Sequence, residues 1–302
     1  TKVRIRKNIS IQSLKNNFRN IKIDNKKYSV LNKKFDLNLS LQQYSKLFDD
    51  FSKNIKQGKT YQIKIAQTYS KKGKVNAVEL FWKLMKMNES PESFLIRDKN
   101  YSIISCSPET LILKKKNLIK TKPIAGTLRK TKSLNKNKAL SFFRKNEKET
   151  KEHNMIVDME RNDLSKICKT GSVKIEKLKR VEEYRDLFHY VSTIKGLIKK
   201  NITNHEIISS LMPGGSVIGC PKISTIQLLN NKEKNDRNIY TGSFGVIHSN
   251  GDMRFNIMIR TLLNFKNNIN LSVASGVILG STAKKEYNEN YIKAKSLLEL
   301  FH

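Results

Sequence analysis

The sequence predicts a protein of the α/β (α+β) class, with two large, mostly antiparallel sheets packed as a sandwich and helices outside. Strand-like segments at 94–96, 102–106 and 110–113, and again at 240–248, 253–263 and 269–279, indicate two β-meanders, the second with Asn-Gly and Asn-Asn turns. Apolar residues at helical spacing indicate long helices at 136–167 and 283–301. A chain of 302 residues is also long enough to bury a sizeable core.

The chain begins with a polar segment that lacks these patterns. Residues 1–38 are basic and poorly periodic, so we expect an N-terminal remnant or edge segment there and one folded domain over 39–302. Residues 60–67 alternate between apolar and polar side chains, as a strand does, with Gln62 and Lys64 on the polar face.

The charge balance is strongly basic, with 59 Lys and Arg against 26 Asp and Glu, a formal net charge of +33. The lysines are spread along the whole chain, without a recognisable binding module or interleaved aromatic residues, so we expect no nucleic-acid partner. No apolar run approaches the roughly 18 residues of a membrane span, and we expect no membrane association. The three cysteines stand alone and fit a reduced compartment, which predicts a cytoplasmic protein.

Two carboxylates face inward in the helix predicted at 136–167. At 3.6 residues per turn, Glu152 shares a face with Met155 and Ile156, and Glu149 lies one turn earlier on that face. An ionised carboxylate is costly to bury unless a cation or hydrogen-bond donors compensate. The sequence leaves three explanations open: a Lys or Arg partner, access of Glu149 to water, or a bound cation.

The last predicted helix repeats this spacing. Glu286 and Glu289 are three residues apart, and Lys293 follows Glu289 by four residues, a favourable orientation for an exposed ion pair. A solvated helix face explains either acid on its own. Two such pairs on two helices nevertheless suit a single hard cation such as Mg²⁺, which prefers oxygen ligands.

Several other functional groups interrupt apolar or turn segments. A proline, which cannot donate to a strand ladder, indicates a bend that contains Glu109. His189 lies among apolar residues, as a core histidine does, whereas Arg260 in an apolar strand needs a carboxylate from the protein or from a substrate. Gly126 permits a close backbone approach beside the Thr127 hydroxyl, although a structural turn explains both residues.

The segment 212–222 is rich in glycine and precedes a helix predicted at 223–229. Backbone N–H groups at such a position suit an anion, and we expect a carboxylate ligand there. The segment matches neither the GxxxxGK[ST] phosphate-binding loop nor the GxGxxG dinucleotide fingerprint, so we expect no nucleotide.

Together these residues resemble the chorismate-utilising enzymes, which include anthranilate synthase component I, aminodeoxychorismate synthase component I, isochorismate synthase and salicylate synthase. The resemblance extends from about residue 40 to the C-terminus, with its motifs in order. The matching motifs are Tyr61-Gln62, Ser107-Pro-Glu109, Pro123-Ile-Ala-Gly-Thr127, Glu152-His153, Arg161-Asn-Asp163, His189-Tyr-Val-Ser192, Pro213-Gly-Gly-Ser216, Gly219-Cys-Pro-Lys222, Ile259-Arg260-Thr261 and Glu286-Tyr-Asn-Glu289.

The resemblance implies a substrate and a metal. It implies the chorismate-binding enzyme fold over 39–302, the dicarboxylate chorismate as substrate, and Mg²⁺ bound to the ring carboxylate of chorismate. By resemblance, Glu152 and Glu289 match the metal ligands of the family, and Glu149 and Glu286 support them.

The resemblance also implies catalytic and substrate-binding roles. Glu109 matches the general acid that protonates the departing 4-hydroxyl. Arg260 and Tyr240 match residues that hold the pyruvyl carboxylate. By the same resemblance, Gln62, His189 and Lys293 match catalytic positions. Gly126, Thr127 and Gly276 match substrate-binding positions of the pocket wall, where His189 also lies.

The motifs favour an aminating member of the family. Isochorismate and salicylate synthases carry Lys at the position of Gln62 because they activate water, whereas a glutamine suits ammonia. Motifs at 61–67, 191–194 and 213–216 resemble aminodeoxychorismate synthases of the para-aminobenzoate and folate pathway. Ala125 instead resembles anthranilate synthases of the tryptophan pathway, since many aminodeoxychorismate synthases carry a Lys there that attacks the ring. The balance favours aminodeoxychorismate synthase, with anthranilate synthase as the alternative.

Both activities imply a partner. None of the three cysteines lies in a nucleophile-elbow context, so ammonia is expected from a glutamine amidotransferase subunit or from solution. A degenerate relative that only binds a ligand or a partner is a third alternative, and the intact functional residues Glu109, Glu152, Glu289, Arg260 and Lys293 argue against it.

Overall fold

The computed structural model describes residues 34–88, 90–131, 133–184 and 187–301, and most of the predicted N-terminal remnant lies outside them. Two antiparallel sheets with helices packed against them confirm the predicted fold class. The strands are β1 (Asp36–Leu37), β2 (Gln62–Lys72), β3 (Glu92–Arg97), β4 (Tyr101–Ser107), β5 (Thr110–Lys115), β6 (Leu118–Lys122), β7 (Ile124–Arg129), β8 (Lys174–Glu183), β9 (Leu187–Leu197), β10 (Gly219–Cys220), β11 (Gly245–Ile247), β12 (Met253–Asn256), β13 (Thr261–Phe265) and β14 (Asn268–Ile278). The helices are α1 (Leu41–Lys56), α2 (Ala77–Met87), α3 (Lys136–Lys145), α4 (Glu147–Ile167), α5 (Asn204–Leu211), α6 (Gly215–Ile218), α7 (Lys222–Lys232) and α8 (Ala283–Leu298), followed by a 3₁₀ turn (Glu299–Phe301).

The two sheets share one core. The first has the order β1-β2-β14-β13-β4-β3, with β10 also paired to β2, and the second has the order β11-β12-β5-β6-β9-β7, with β8 beside β9. Ile65 and Val277 of the first sheet belong to the same buried cluster as Ile112 and Ile194 of the second. Apolar side chains from both sheets therefore exclude water between them, which is the main source of stability in such a fold.

Two chain segments cross from one sheet to the other side by side. The β4–β5 connection contains Glu109, and the β12–β13 connection contains Arg260. Hydrogen bonds join the two connections, from the Ile257 N–H to the Glu109 carbonyl at 3.1 Å and from the Cys106 N–H to the Arg260 carbonyl at 3.2 Å. A single strand was predicted through this second segment, and that prediction is wrong because the chain changes sheets there, with Arg260 at a φ of 49°.

The predicted helix at 136–167 is two helices. Asn146 ends α3 and caps α4, since its side-chain oxygen accepts a hydrogen bond from the Glu149 N–H at 3.2 Å. Helix α4 packs against β7 and β9, and α8 packs against β14 and α1. The acidic ends of both helices thereby face the same end of the sandwich.

The glycine-rich segment packs against the protein itself. An added Cβ at Gly215 would lie 1.7 Å from the Met159 methyl group, and one at Gly219 would lie 2.1 Å from the Gln62 carbonyl oxygen. The glycines therefore let the chain approach α4 and β2, and the predicted anion cradle is not needed to explain them.

Two further predictions concern segment boundaries and membranes. Residues 240–248 were predicted to be a strand, but only Gly245–Ile247 is extended in β11, and Tyr240 lies in a turn. None of the helices in the described residues is both long and apolar enough to cross a bilayer.

Candidate active site

The acids of α4 and α8 converge on three lysines. Glu152 is buried and pairs with Lys64 of β2. Lys148 contacts Glu286 at 2.6 Å and Glu289 at 3.4 Å. The Lys293 ammonium lies 2.7 Å from the Glu289 carboxylate.

The four acids lie close enough to influence one another's pKa values. Burial, together with the charges of Glu152 and Glu289, raises the pKa of Glu149 to about 7. Burial also raises the pKa of Glu286. Burial opposes the ionised forms of Glu152 and Glu289 as well, but nearby lysines outweigh it and lower both pKa values.

The floor of the site is formed where β2 pairs with β14. Gly276 is opposite Lys64 in this ladder. A Cβ at Gly276 would lie 2.5 Å from the Gln62 Nε2, 2.7 Å from the Lys64 Nζ and 3.0 Å from the Glu152 Oε1. Both polar atoms of the Gln62 amide are buried and lack a hydrogen-bond partner among the described residues. An unsatisfied buried amide is uncommon and indicates a missing polar partner at this floor.

Gly126 forms a second close approach. Its φ is 100°, and a Cβ there would lie 2.9 Å from the Phe143 ring and 3.0 Å from the Glu149 Oε2. The glycine is therefore required by backbone conformation and by space, because L side chains rarely adopt this φ. Strand β7 thus brings Gly126 against the acidic end of α4.

Glu109, Arg260 and His189 lie at the junction of the two sheets. The Ile124 N–H donates to the Glu109 carboxylate at 3.3 Å, and burial raises the pKa of Glu109 to about 7. Thr127 Oγ1 lies 3.0 Å from His189 Nδ1, and Arg260 Nη1 lies 3.4 Å from His189 Nε2. Burial keeps the pKa of His189 well below its usual value, so a neutral imidazole faces the guanidinium.

Arg260 has no acidic partner in the described part of the chain. Its one side-chain hydrogen bond there is to the His189 ring, and burial lowers its pKa to about 10, with the charge of Glu109 among the influences that oppose this shift. A half-buried guanidinium without an ion-pair partner is unfavourable, so this arrangement suits an anionic ligand.

Tyr240 and Lys293 complete the predicted set. Tyr240 is buried in the turn before β11, and burial raises its pKa to about 12, with the charges of Arg237 and Lys293 opposing that shift. Lys293 also donates to the Ala274 carbonyl at 3.0 Å. Both residues therefore lie beside the acidic cluster.

Lys64 connects the two halves of the site. Its charge acts on Glu109 at the sheet junction and on Glu152 and Glu289 in the acidic cluster. The predicted residues on β2, β7, α4, α8, β14 and the two crossing segments therefore surround one region that contains acids, cations and an unpaired amide.

Comparisons with known proteins identify the family of the chain. The family described as chorismate binding enzyme matches residues 6–299. The chain belongs to this family. An anthranilate synthase component I-like protein of Synechocystis sp. is 34% identical over 259 residues, or 85% of this chain and 53% of that protein. Aminodeoxychorismate synthase component 1 of Bacillus subtilis is 33% identical over 252 residues, or 83% of this chain and 54% of that protein.

Solved structures of the family share the fold. The crystal structure of anthranilate synthase component I from Streptococcus pneumoniae superposes with a TM-score of 0.81 at 28% identity, over 95% of this chain and 64% of that one. The chain spans about half the length of the curated relatives it matches. Relatives with both names match almost equally well, so membership of the chorismate binding enzymes is shown at the level of the family.

The acidic cluster of this chorismate binding enzyme fits a divalent cation by its donor chemistry. Its donors are carboxylate oxygens, Glu286 Oε2 is buried without a hydrogen-bond partner, and Glu149 makes no ion pair within the described residues. Across residues 34–301, apart from the gaps in that range, no three acidic, imidazole or thiol groups are close enough to hold a metal as they stand. Lysine ammonium groups instead contact Glu152, Glu286 and Glu289.

Sequence reasoning identified Lys293 but missed the other two lysines of this cluster, Lys64 and Lys148. The alternation at 60–67 placed Lys64 on the same strand face as Gln62, and this was the one sequence feature that pointed to it. Periodicity could not predict its ion pair with Glu152 of α4. Lys148 precedes Glu149 in a basic chain and had no distinguishing pattern. Both depend on how α4 is placed against the first sheet.

Proposed function

We propose that the chain aminates chorismate to 4-amino-4-deoxychorismate, in the cytoplasm, with Mg²⁺ and with ammonia from a glutamine amidotransferase subunit. The observation that supports this most directly is a cluster of four acids near a half-buried Arg260 that forms no ion pair within the described residues. A dicarboxylate substrate satisfies both, because one carboxylate meets the cation and the other meets the guanidinium. The three cysteines are buried and unpaired, as expected in a reducing compartment.

Arg260 and Tyr240 would bind the pyruvyl carboxylate. The guanidinium offers several donors in one plane, and the neutral His189 ring holds it in place without competing for the anion. The buried phenol of Tyr240 stays protonated and supplies a further donor.

Glu109 would act as the general acid. Its pKa of about 7 leaves a substantial protonated fraction at neutral pH, so it can give a proton to the 4-hydroxyl as that group leaves as water. The C–O bond breaks as nitrogen joins the ring, and the pyruvyl group remains. Burial at the sheet junction excludes water that would otherwise stabilise the ionised carboxylate and lower the pKa of Glu109.

Glu152 and Glu289 would hold Mg²⁺, with Glu149 and Glu286 as supporting acids. When bound, the metal supplies positive charge that attracts the ring carboxylate and polarises it. Gln62 faces the same floor with an unpaired amide, which can hydrogen-bond ammonia but cannot deprotonate water.

A second candidate is anthranilate synthase, which would also eliminate pyruvate. Ala125 favours it, because its buried methyl group offers no nucleophile for covalent attack on the ring. In the aminodeoxychorismate reading, ammonia would therefore attack the ring directly.

A turnover assay with chorismate, Mg²⁺ and an ammonium salt tests both candidates. Fluorescent anthranilate would identify the second candidate, and a product that an added lyase converts to para-aminobenzoate would identify the first. No product from a folded protein would contradict both and favour a ligand-binding relative.

The metal assignment is tested with Glu289→Gln. This variant should lose Mg²⁺-dependent turnover and keep its circular dichroism spectrum, since it removes one ligand charge without changing volume. Glu299→Gln, just beyond the same helix, is the matched control because Glu299 only forms a weak, exposed pair with Lys295 at 3.7 Å. Unchanged turnover in Glu289→Gln would refute the assignment.

A further inference from the structure

Lys64 forms an ion pair with Glu152, which the proposed function assigns as a metal ligand. The lysine is 6% exposed, and its ammonium forms an ion pair with Oε1 of Glu152, which is itself buried. If a divalent cation also bound Glu152, the metal and the Lys64 ammonium would both lie beside one buried carboxylate. Two such charges repel strongly where the local dielectric is low.

We propose that Lys64 competes with the divalent cation for Glu152, so that metal binding displaces the Lys64 ammonium toward the substrate side of the pocket. This inference rests on the proposed metal site and goes beyond it. It assigns to Lys64 a positioning role, in which the residue sets metal affinity and links metal binding to anion binding.

The other two lysines of the cluster are less suited to this role. The Lys148 side chain is 30% exposed and can turn into water when a metal takes its partners. If a metal bound Glu289, Lys293 would still donate to the Ala274 carbonyl at 3.0 Å. The Lys64 side chain is only 8% exposed, so its charge is much less able to move into water than that of Lys148.

A new partner for the displaced ammonium is already at the floor of the site. The Gln62 Oε1 is buried and accepts no hydrogen bond within the described residues. The Gln62 amide and the Lys64 ammonium both border the space above Gly276, at 2.5 and 2.7 Å from the position of an added Cβ. A short side-chain movement would therefore transfer the ammonium from Glu152 to the amide oxygen and toward an anionic guest.

The consequence is cooperation between metal and substrate. Leaving Glu152 costs the ion pair, and an anionic guest compensates by offering Lys64 a new countercharge. By reciprocity, the guest then strengthens metal binding as much as the metal strengthens guest binding.

Manganese binding to the intact chain tests this proposal without turnover. We would titrate Mn²⁺, a paramagnetic substitute for Mg²⁺, into wild type, Lys64→Met and Lys151→Met, and measure free Mn²⁺ by electron paramagnetic resonance. Lys151→Met is the matched control, because Lys151 precedes Glu152 on α4 but its side chain is 68% exposed and pairs with Glu147. Lys64→Met should bind Mn²⁺ about tenfold more tightly than wild type, within the usual range of such couplings, and the control should not.

The outcomes separate the two proposals. Equal Mn²⁺ affinity in wild type and Lys64→Met would overturn the role of Lys64 and leave the metal site intact. Absence of binding in all three proteins would overturn the metal site and this inference with it.

A crystal structure of the wild type with Mn²⁺ decides the matter if Lys64→Met does not fold. Anomalous density at the glutamates should coincide with a Lys64 ammonium more than about 4 Å from Glu152, beyond ion-pair distance. A bound Mn²⁺ with the Lys64–Glu152 pair still formed would overturn the proposal.

Discussion

Gly276→Ala should lower turnover by about 10²-fold while leaving the fold in place. The added methyl group would lie 2.5 Å from the Gln62 amide nitrogen, 2.7 Å from the Lys64 ammonium and 3.0 Å from the Glu152 carboxylate. All three atoms are at the ends of flexible side chains, so the side chains would move and the strands would not. Overpacking typically costs about 1–3 kcal/mol, and the loss of glycine freedom in the unfolded chain returns about 0.4–1 kcal/mol. We therefore expect the free energy of unfolding to fall by no more than about 2.5 kcal/mol.

The functional loss should be much larger than the loss of stability. Displacement of reacting or metal-binding groups by about 1 Å can reduce turnover by about 10²-fold. The assay compares ammonia-dependent turnover with denaturant unfolding for Gly276→Ala and for a control, Gly73→Ala. A Cβ at Gly73 meets only the Ile269 methyl group, at 3.9 Å, so both properties of the control should match wild type. Turnover of Gly276→Ala equal to that of the control would refute the placement of the substrate above this floor.

Three further predictions concern buried charges. Glu109→Gln should lower turnover by about 10²–10⁴-fold, and wild-type turnover should decline as the pH rises above about 7, where Glu109 loses its proton. Burial raises the pKa of Glu160 in the folded state from 4.5 to about 8, so the buried side chain favours the protonated form. Its contribution to the free energy of unfolding is therefore fully present below about pH 4.5 and is lost as the pH rises through about 8. In urea titrations, Glu160→Gln should therefore lose less stability than wild type between these pH values, by a few kcal/mol, and parallel curves would contradict this. Arg260→Met should lower kcat/KM for chorismate by roughly 30-fold or more with an unchanged circular dichroism spectrum, whereas a loss confined to kcat would argue against carboxylate binding by Arg260.

Local patterns predicted the strands and helices that have strong periodicity. The helix α8 and the strand β14 lie within a few residues of their predicted ranges. Most of β14 is buried, whereas the buried face of α8 combines Ala294 and Leu297 with the polar residues Glu286 and Asn290. Predictions failed where the chain changes partner. Arg260 looked like part of one apolar strand, yet the chain crosses between sheets there, and only tertiary hydrogen bonds with the β4–β5 connection reveal it.

The convergence of the acids could be predicted only in part. The three-residue spacing of Glu149 and Glu152 places them on one helix face, but their meeting with α8 depends on the packing of both helices against the sheets. The resemblance to a family supplied that missing information. It did not supply the Lys64–Glu152 pair, since that contact joins a strand face to a helix 88 residues later.

The charges of the site distinguish the two ends of a dianionic guest. Four carboxylates face three lysines in the cluster of α4 and α8, so this end is already largely neutralised and gains a strong attraction for an anion only with an added cation. The other end contains Arg260 beside a neutral imidazole and attracts an anion without any addition. A guest with two carboxylates would therefore bind in one orientation, with one end dependent on the metal and the other independent of it. Removal of the metal should then lower the affinity for such a guest without abolishing its binding. Loss of the Arg260 guanidinium should lower that affinity at every metal concentration.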